Sequence, residues 1–215
     1  MKFYLDTDHP VAIDSLDHIF PLGTRLDNTV NLKFNEKMYA LFPGKVISIL
    51  DLGCAGGGMV KSFLDDGHIA VGLEGSDYNL RHKRAAWKTD PDNFYTCDLG
   101  FPFVLHTGDN KPYQFDVITA WEFLEHIYES RLPILFMNIN NHLKQDGLFI
   151  GTTTDSDPAA RGVHHHVCRY DFEWWTKRFE DNHLYRDGNL EKYFDGAWVR
   201  SSVGGSNFVC RGELI

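Results

Sequence analysis

The sequence predicts an α/β fold: a doubly wound, mostly parallel sheet of seven strands with helices on both faces and an antiparallel hairpin at the C-terminal end. Three observations predict it. After residue 45, apolar β-branched runs alternate with helical patterns, the order that winds one sheet through successive βαβ units. Those runs are apolar throughout and lack strict in-out alternation, as suits strands covered on both faces of a parallel sheet. The tail holds two strand-like stretches with no helix between them, which favours antiparallel pairing.

Residues 1–44 begin irregularly and then read as a helix in "DNTVNLKFNEKMYALFPG", where Val30, Phe34, Met38 and Leu41 mark one face and Pro43 and Gly44 stop it. The segment is too short for its own core. Residues 1–215 are therefore expected to form a single domain, with 1–44 as a helical cap or lid; "PLGTRLDN" either closes over a site or only covers apolar surface. The first sheet strand is "VISIL" (46–50), followed by the glycine-rich "DLGCAGGG" and a helix with Met59, Val60, Phe63 and Leu64 on one stripe, ended by Gly67. "IAVGLE" (69–74) is the second strand, and the short run in "FYTCDLG" the third.

"FDVITAW" (115–121) and "LFIGTTT" (148–154) are the fourth and fifth strands. Between them Leu132, Leu135, Phe136, Ile139 and Leu143 recur at helical spacing, with Pro133 in the first turn and Gly147 expected to end the helix. In "YDFEWWTKRFEDNHL", Asp171 is the expected N-cap, and Trp174, Trp175, Arg178 and Phe179 follow at helical spacing. The two tail strands are read in "NLEKYFDGAWVRSS" and "GGSNFVCRGEL". No internal repeat interrupts this order.

Composition narrows the function. The 215 residues carry 21 Lys+Arg against 30 Asp+Glu, a formal charge of -9, which gives no electrostatic reason to bind phosphate backbones or anionic lipid. Neither nucleic acid nor a membrane is an expected partner. Cys54, Cys97, Cys168 and Cys210 form no CxxC pair, so neither a zinc site nor a disulfide framework is signalled, and free thiols in a reducing cytoplasm are expected. The first residues lack the basic and apolar regions of an export signal, and no window is apolar enough to span a membrane. A soluble cytoplasmic protein is expected.

The chemistry starts at Gly53, Gly56, Gly57 and Gly58, crowded between a strand and a helix. Such a junction lets a nucleotide-like ligand lie against bare backbone at a helix N-terminus. A tight turn would also select glycine, but that explains one or two of the four. Glu74 ends the second strand about 20 residues later, where a carboxylate can accept from ribose hydroxyls. Asp98 brings another acid to the same carboxyl edge of the sheet, where ligands of open α/β sheets bind. These features also occur in nicotinamide-dependent oxidoreductases, which stand as the alternative, along with a non-catalytic cofactor-binding module.

"ILDLGCAGGG", "GLEGSDY", "YTCDLG" and "FDVITAWEFLEHI" resemble the successive motifs of class I S-adenosylmethionine-dependent methyltransferases of small-molecule type, over roughly residues 45–180. The two-strand tail fits that family's terminal hairpin. The resemblance implies S-adenosylmethionine as cofactor, with Asp51, Gly53, Ala55 and Gly57 around its methionine part and Cys54 among them. It implies Glu74 on the ribose hydroxyls with Gly75 beside it, Asp98 on the adenine amino group, Leu99 against the ring, and Trp121 near the methionine end. Position 55 is alanine where the family usually has glycine.

A sulfonium carbon is already electrophilic, so transfer mainly needs an aligned acceptor and, for a hydroxyl, a group to take its proton. Histidine suits that task. His126 in "EFLEHI" and His165 in "RGVHHHVCRY" are the expected catalytic pair, on loops that open at the active edge, and Glu122, Glu125 and Asp155 lie near the same edge. His164, His165 and His166 are consecutive, and neighbours in an extended run face opposite ways, so no metal site is expected. The expected acceptor is a small polar molecule, with a hydroxyl of a sugar or similar metabolite as the methylated group.

Overall fold

The computed structural model describes residues 1–157, 162–200 and 206–212. Along the chain come β1 (Tyr4–Asp6), α1 (Leu16–Ile19), α2 (Leu22–Leu26), α3 (Leu32–Leu41), β2 (Ser48–Leu52), α4 (Gly58–Asp65), β3 (Ile69–Glu74), α5 (Tyr78–His82) and α6 (Ala86–Thr89). They are followed by β4 (Phe94–Thr96), β5 (Val104–His106), β6 (Phe115–Trp121), α7 (Leu132–His142), β7 (Leu143–Thr153), α8 (Phe172–Glu180), β8 (Leu184–Arg186), α9 (Gly188–Tyr193) and β9 (Ser206–Gly212). Seven strands form one sheet in the order β4-β3-β2-β6-β7-β9-β8. The strands from β4 to β7 are parallel, and β9 runs antiparallel to both β7 and β8.

The continuous apolar runs follow from cores on both faces. Ile49, Ala70 and Val117 pack with Phe34 and Met38 of α3 and Val60 and Phe63 of α4. Their strand neighbours Leu50, Val71 and Ile118 pack on the other face with Leu135, Phe136 and Ile139 of α7 and Trp175 and Phe179 of α8. Because successive residues point to opposite faces, both must be apolar. Phe34 and Met38 have no exposed surface, and their burial, about 1.5–3 kcal/mol each, fixes the N-terminal segment to the sheet. Asn31 caps α3 by accepting from the Phe34 amide, and Asp171 caps α8 by accepting from the Trp174 amide.

Two expectations are corrected. The tail stretch "NLEKYFDGAWVRSS" is not a strand: residues 188–193 form α9, and the penultimate strand is β8, directly after α8. Asp187 accepts from the amides of Asn189 and Leu190, a cap that starts the helix, and the following Phe194 packs on Phe34 with ring centroids 5.1 Å apart. The hairpin survives with a different first strand; residues 201–205 and 213–215 of the tail lie outside the described residues. Gly147 does not end α7, which stops at His142; it sits in β7 where the register against β6 jumps from Phe115↔Leu143 to Val117↔Leu148. The small antiparallel pair of β1 and β5 had no sequence signal. Among the described residues no helix is long and apolar enough to cross a membrane, and the four cysteines are free and buried.

Candidate functional site

The loops after β2, β3 and β4 open on one edge of the sheet, and the N-terminal segment is strapped across all three by backbone hydrogen bonds. Gly56 donates to the Asp27 carbonyl at 3.0 Å, Ala12 to that of Gly75 at 2.9 Å, and Asp98 to that of His9 at 2.8 Å. This contact explains much of the glycine cluster. A Cβ on Gly56 would lie 2.5 Å from the Asp27 carbonyl oxygen, and one on Gly58 would lie 2.6 Å from those of Asn28 and Thr29. A Cβ on Gly57 would run into the Phe94 ring. The bare junction therefore makes room for the chain's own 27–29 segment and for Phe94.

Between strap and sheet edge lies a cavity walled by Gly53, Ala55, Glu74, Gly75, Asp98, Leu99 and Trp121, with Thr24 and Asp27 of the strap across from them. Asp51, Cys54 and Gly57, expected with this group, stand behind the wall. Asp51 is buried and its carboxylate accepts the Thr119 hydroxyl at 2.6 Å. The Cys54 sulfur faces Gly72, where a Cβ would approach it to 2.6 Å. Burial pushes the Asp51 carboxyl up to about 7, and the charges of Asp27 and Glu74 add to that against the Thr119 hydrogen bond.

Glu74 is held by both oxygens, one accepting the Ala55 amide at 2.9 Å and the other the Ser76 amide at 3.1 Å. Burial outweighs those two bonds and raises its carboxyl to about 7. Asp98 accepts from the Gly100 amide at 3.0 Å and from Arg131 at 2.9 Å. The Arg131 guanidinium itself stacks over Phe101 at 4.5 Å. The buried indole N–H of Trp121 has no hydrogen-bond partner among the described residues, although the residue lines the cavity. An unpaired buried donor costs about 1–3 kcal/mol, so this one fits a ligand acceptor. Carboxylates on the wall suit a sulfonium cation and its hydroxyls, and the residues present fit S-adenosylmethionine.

His126 also lines this cavity, and its Nδ1 meets Asp17 of α1 at 2.7 Å. Burial alone would lower its pKa, but the charge and hydrogen bond of Asp17, with Glu125 and Glu74 behind, carry it up to about 9. His126 thus holds its proton at neutral pH. His165 turns its Nδ1 toward the other Asp17 oxygen at 3.4 Å. The two expected histidines are thus brought together on one carboxylate.

A second cavity adjoins the first, and the two share Asp17, Gly23, Asp27, Glu122, His126 and Arg200 in their walls. Thr154, Ser156, Asp157, His165 and His166 line the second one. Asp17, Asp27, Arg131 and Arg200 escaped the sequence reading. Each is a single charged residue in a segment without a motif, and only the strap brings the first two to the sheet edge.

A methyltransferase domain family model matches residues 29–197. The mitochondrial ubiquinone biosynthesis O-methyltransferase of Schizosaccharomyces pombe is 27% identical over 169 residues, which cover 72% of this chain and 60% of that protein. The ubiquinone biosynthesis O-methyltransferase of Bartonella quintana is 26% identical over 151 residues, 70% of this chain and 58% of that one. The chain spans about 60% of the length of these relatives. Among solved structures, an S-adenosylmethionine-dependent methyltransferase from Clostridium acetobutylicum superposes with a TM-score of 0.61 at 14% identity, covering 86% of this chain and 93% of that one. A TehB-like S-adenosylmethionine-dependent methyltransferase from Corynebacterium glutamicum gives 0.58 at 16% identity, with 84% and 88% covered. These share the fold described above.

Proposed function

The chain belongs to the methyltransferase domain family, and from that premise we propose that it transfers a methyl group from S-adenosylmethionine to a hydroxyl of a small polar acceptor seated in the second cavity. The observation that carries this reading is the shared wall: one cavity has the carboxylates and bare backbone that suit the cofactor, and the other meets it at Asp17, Glu122 and His126. Bound there, the cofactor would supply an electrophilic methyl carbon. Glu74 accepts the ribose hydroxyls with whatever lone-pair capacity its two amide bonds leave. Asp98, fixed by Arg131, accepts the adenine amino group with Leu99 beside the ring, and the Trp121 indole N–H donates near the methionine end.

An oxygen acceptor is favoured because the curated relatives are named O-methyltransferases. The lining of Asp157, Ser156, Thr154 and Arg200 offers hydrogen bonds to a hydroxylated metabolite, a sugar or a molecule like it. His165 takes the acceptor proton in this scheme, and His126 with Asp17 holds the pair in place. Holding acceptor and methyl carbon in line can contribute on the order of 7–11 kcal/mol, so orientation outweighs proton removal. The four buried thiols and the acidic charge of -9 support a cytoplasmic enzyme that uses neither nucleic acid nor a membrane as partner.

Methyl-labelled cofactor offered with pools of polar metabolites should yield labelled product, and S-adenosylhomocysteine should suppress it. Tight NAD binding with no response to S-adenosylhomocysteine would point to an oxidoreductase instead. Cofactor binding without transfer to any pool would leave a binding module.

A further inference from the structure

We infer that Glu125, His126 and His166 form a binding site for one divalent first-row transition cation at the wall between the two cavities. One ligand atom from each of the three lies within 4.8 Å of the other two, a spread that small side-chain rotations close onto an ion. Glu125 is completely buried. One of its oxygens accepts the Thr154 amide at 3.2 Å, and the other, Oε2, has no hydrogen-bond partner among the described residues. An unpartnered buried carboxylate oxygen is costly to leave without a cation or donor.

The hydrogen bonds of the two histidines point the same way. His126 directs Nδ1 to Asp17 at 2.7 Å, and His166 directs Nδ1 to the Ser156 carbonyl at 2.6 Å. Each bond keeps a proton on Nδ1 and leaves Nε2 for the ion, which in His126 displaces the second proton that Asp17 otherwise favours; this is the arrangement in which an outer carboxylate or carbonyl orients a metal-binding imidazole. The rings meet edge to face with centroids 4.7 Å apart. The loop carrying His166 is clamped to the Glu125 turn, because the amides of Val167 and Cys168 both donate to the Glu125 carbonyl, at 2.9 and 3.0 Å. Two imidazoles and a carboxylate make a mixed nitrogen and oxygen set, suited to ions that accept imidazole and less to magnesium or calcium.

Three consecutive histidines thus take three different tasks. His164 pairs with Asp157 at 2.8 Å, His165 faces Asp17, and only His166 joins the cluster. The carboxylates of Asp17, Glu122 and Asp157 around it supply charge that a cation offsets. His126 and His166 both line the second cavity, so an ion there stands where an acceptor oxygen would sit. That use rests on the methyl-transfer reading, whereas the site itself does not.

Full-length protein stripped with chelator and titrated with Mn2+ tests the site, followed by electron paramagnetic resonance and by thermal unfolding. Wild type is expected to take up one equivalent and to melt at higher temperature with the ion. Glu125→Gln and His166→Ala are expected to weaken Mn2+ binding by about tenfold or more while keeping wild-type affinity for S-adenosylhomocysteine. His166 is half-buried in a loop, so its variant tests the site even if Glu125→Gln were to misfold. No saturable Mn2+ binding in wild type, or equal binding in His166→Ala, overturns the inference. Loss of S-adenosylhomocysteine binding by wild type would instead overturn the methyl-transfer reading.

Discussion

The amide of Gly56 donates to the Asp27 carbonyl at 3.0 Å, and a Cβ added to Gly56 would lie 2.5 Å from that same oxygen. The bond and the clearance are one device: the turn after β2 is bare so that the N-terminal strap can hydrogen-bond directly to it and roof the cavity.

Gly56→Ala should therefore unseat the strap. Forcing a methyl into this contact costs about 1–3 kcal/mol, so the melting temperature should fall, and trypsin should cut at Arg25 in α2 faster than in wild type. Unchanged cleavage at Arg25 with unchanged melting would mean that the strap is held elsewhere.

Ala55 carries the opposite message. Its φ of 45° lies in the left-handed region, which costs a residue with a Cβ roughly 1–2 kcal/mol. Glycine relieves that and gives back about 0.5–1 kcal/mol in chain entropy. Ala55→Gly keeps the N–H that Glu74 accepts and should stabilise the protein by about 0.5–1 kcal/mol, with affinity for S-adenosylhomocysteine unchanged. A lower unfolding midpoint in urea would contradict this.

Glu74 is anchored by two backbone amides, so Glu74→Gln must turn an amide donor toward one of them. Above pH 7, where the Glu74 carboxylate is ionised, the ribose hydroxyls then lose a charged acceptor, which costs about 1.5–3 kcal/mol, equivalent to about tenfold or more in affinity. Calorimetric titration with S-adenosylhomocysteine should show that loss in the variant, and wild-type affinity would remove Glu74 from the cofactor's contacts.

The sheet and its carboxyl edge were legible in the sequence because strands covered on both faces must be apolar at every position, as Ile49 and Leu50 are. The strap was not, because it is fastened by backbone groups of His9, Ala12 and Asp27 that carry no side-chain pattern. The same gap hid the reason for Gly56, Gly57 and Gly58: their spacing shows that something approaches closely, and only tertiary structure shows that it is residues 27–29 for Gly56 and Gly58 and the Phe94 ring for Gly57. α9 was missed because its start depends on the single cap Asp187. The meeting of His126 and His165 on Asp17 joins residues more than a hundred positions apart, beyond the reach of any local motif.

Stability should fall as pH rises from about 4 to about 7. Asp51 is faced by Thr119, Asp27 and Glu74, and Glu74 by the amides of Ala55 and Ser76 and the charges of Asp17 and His126; burial raises the two carboxyls from ordinary values of 3.8 and 4.5 to about 7. Between those values the folded chain keeps protons that the unfolded chain has lost, so each proton-unit of pH weakens folding, and the effect is complete above 7. His126 adds a later decline, since its raised value means that stability present below 6.5 is lost as pH passes about 9. Glu125, raised by burial to about 7, adds to the fall, and burial lowers His68, His142 and His166, which offset part of it below 6.5; Asp17, Asp116, Asp157 and Asp187 are lowered and act only below about 4, outside this window. Asp51→Asn keeps an oxygen for the Thr119 hydroxyl and removes the titrating group. It should flatten the slope between pH 4 and 7 and stabilise the protein at pH 8 by about 3–4 kcal/mol relative to its effect at pH 4. Unfolding in urea at the two pH values measures this, and an Asp51→Asn effect that is the same at both would show that Asp51 titrates alike in the folded and unfolded chains.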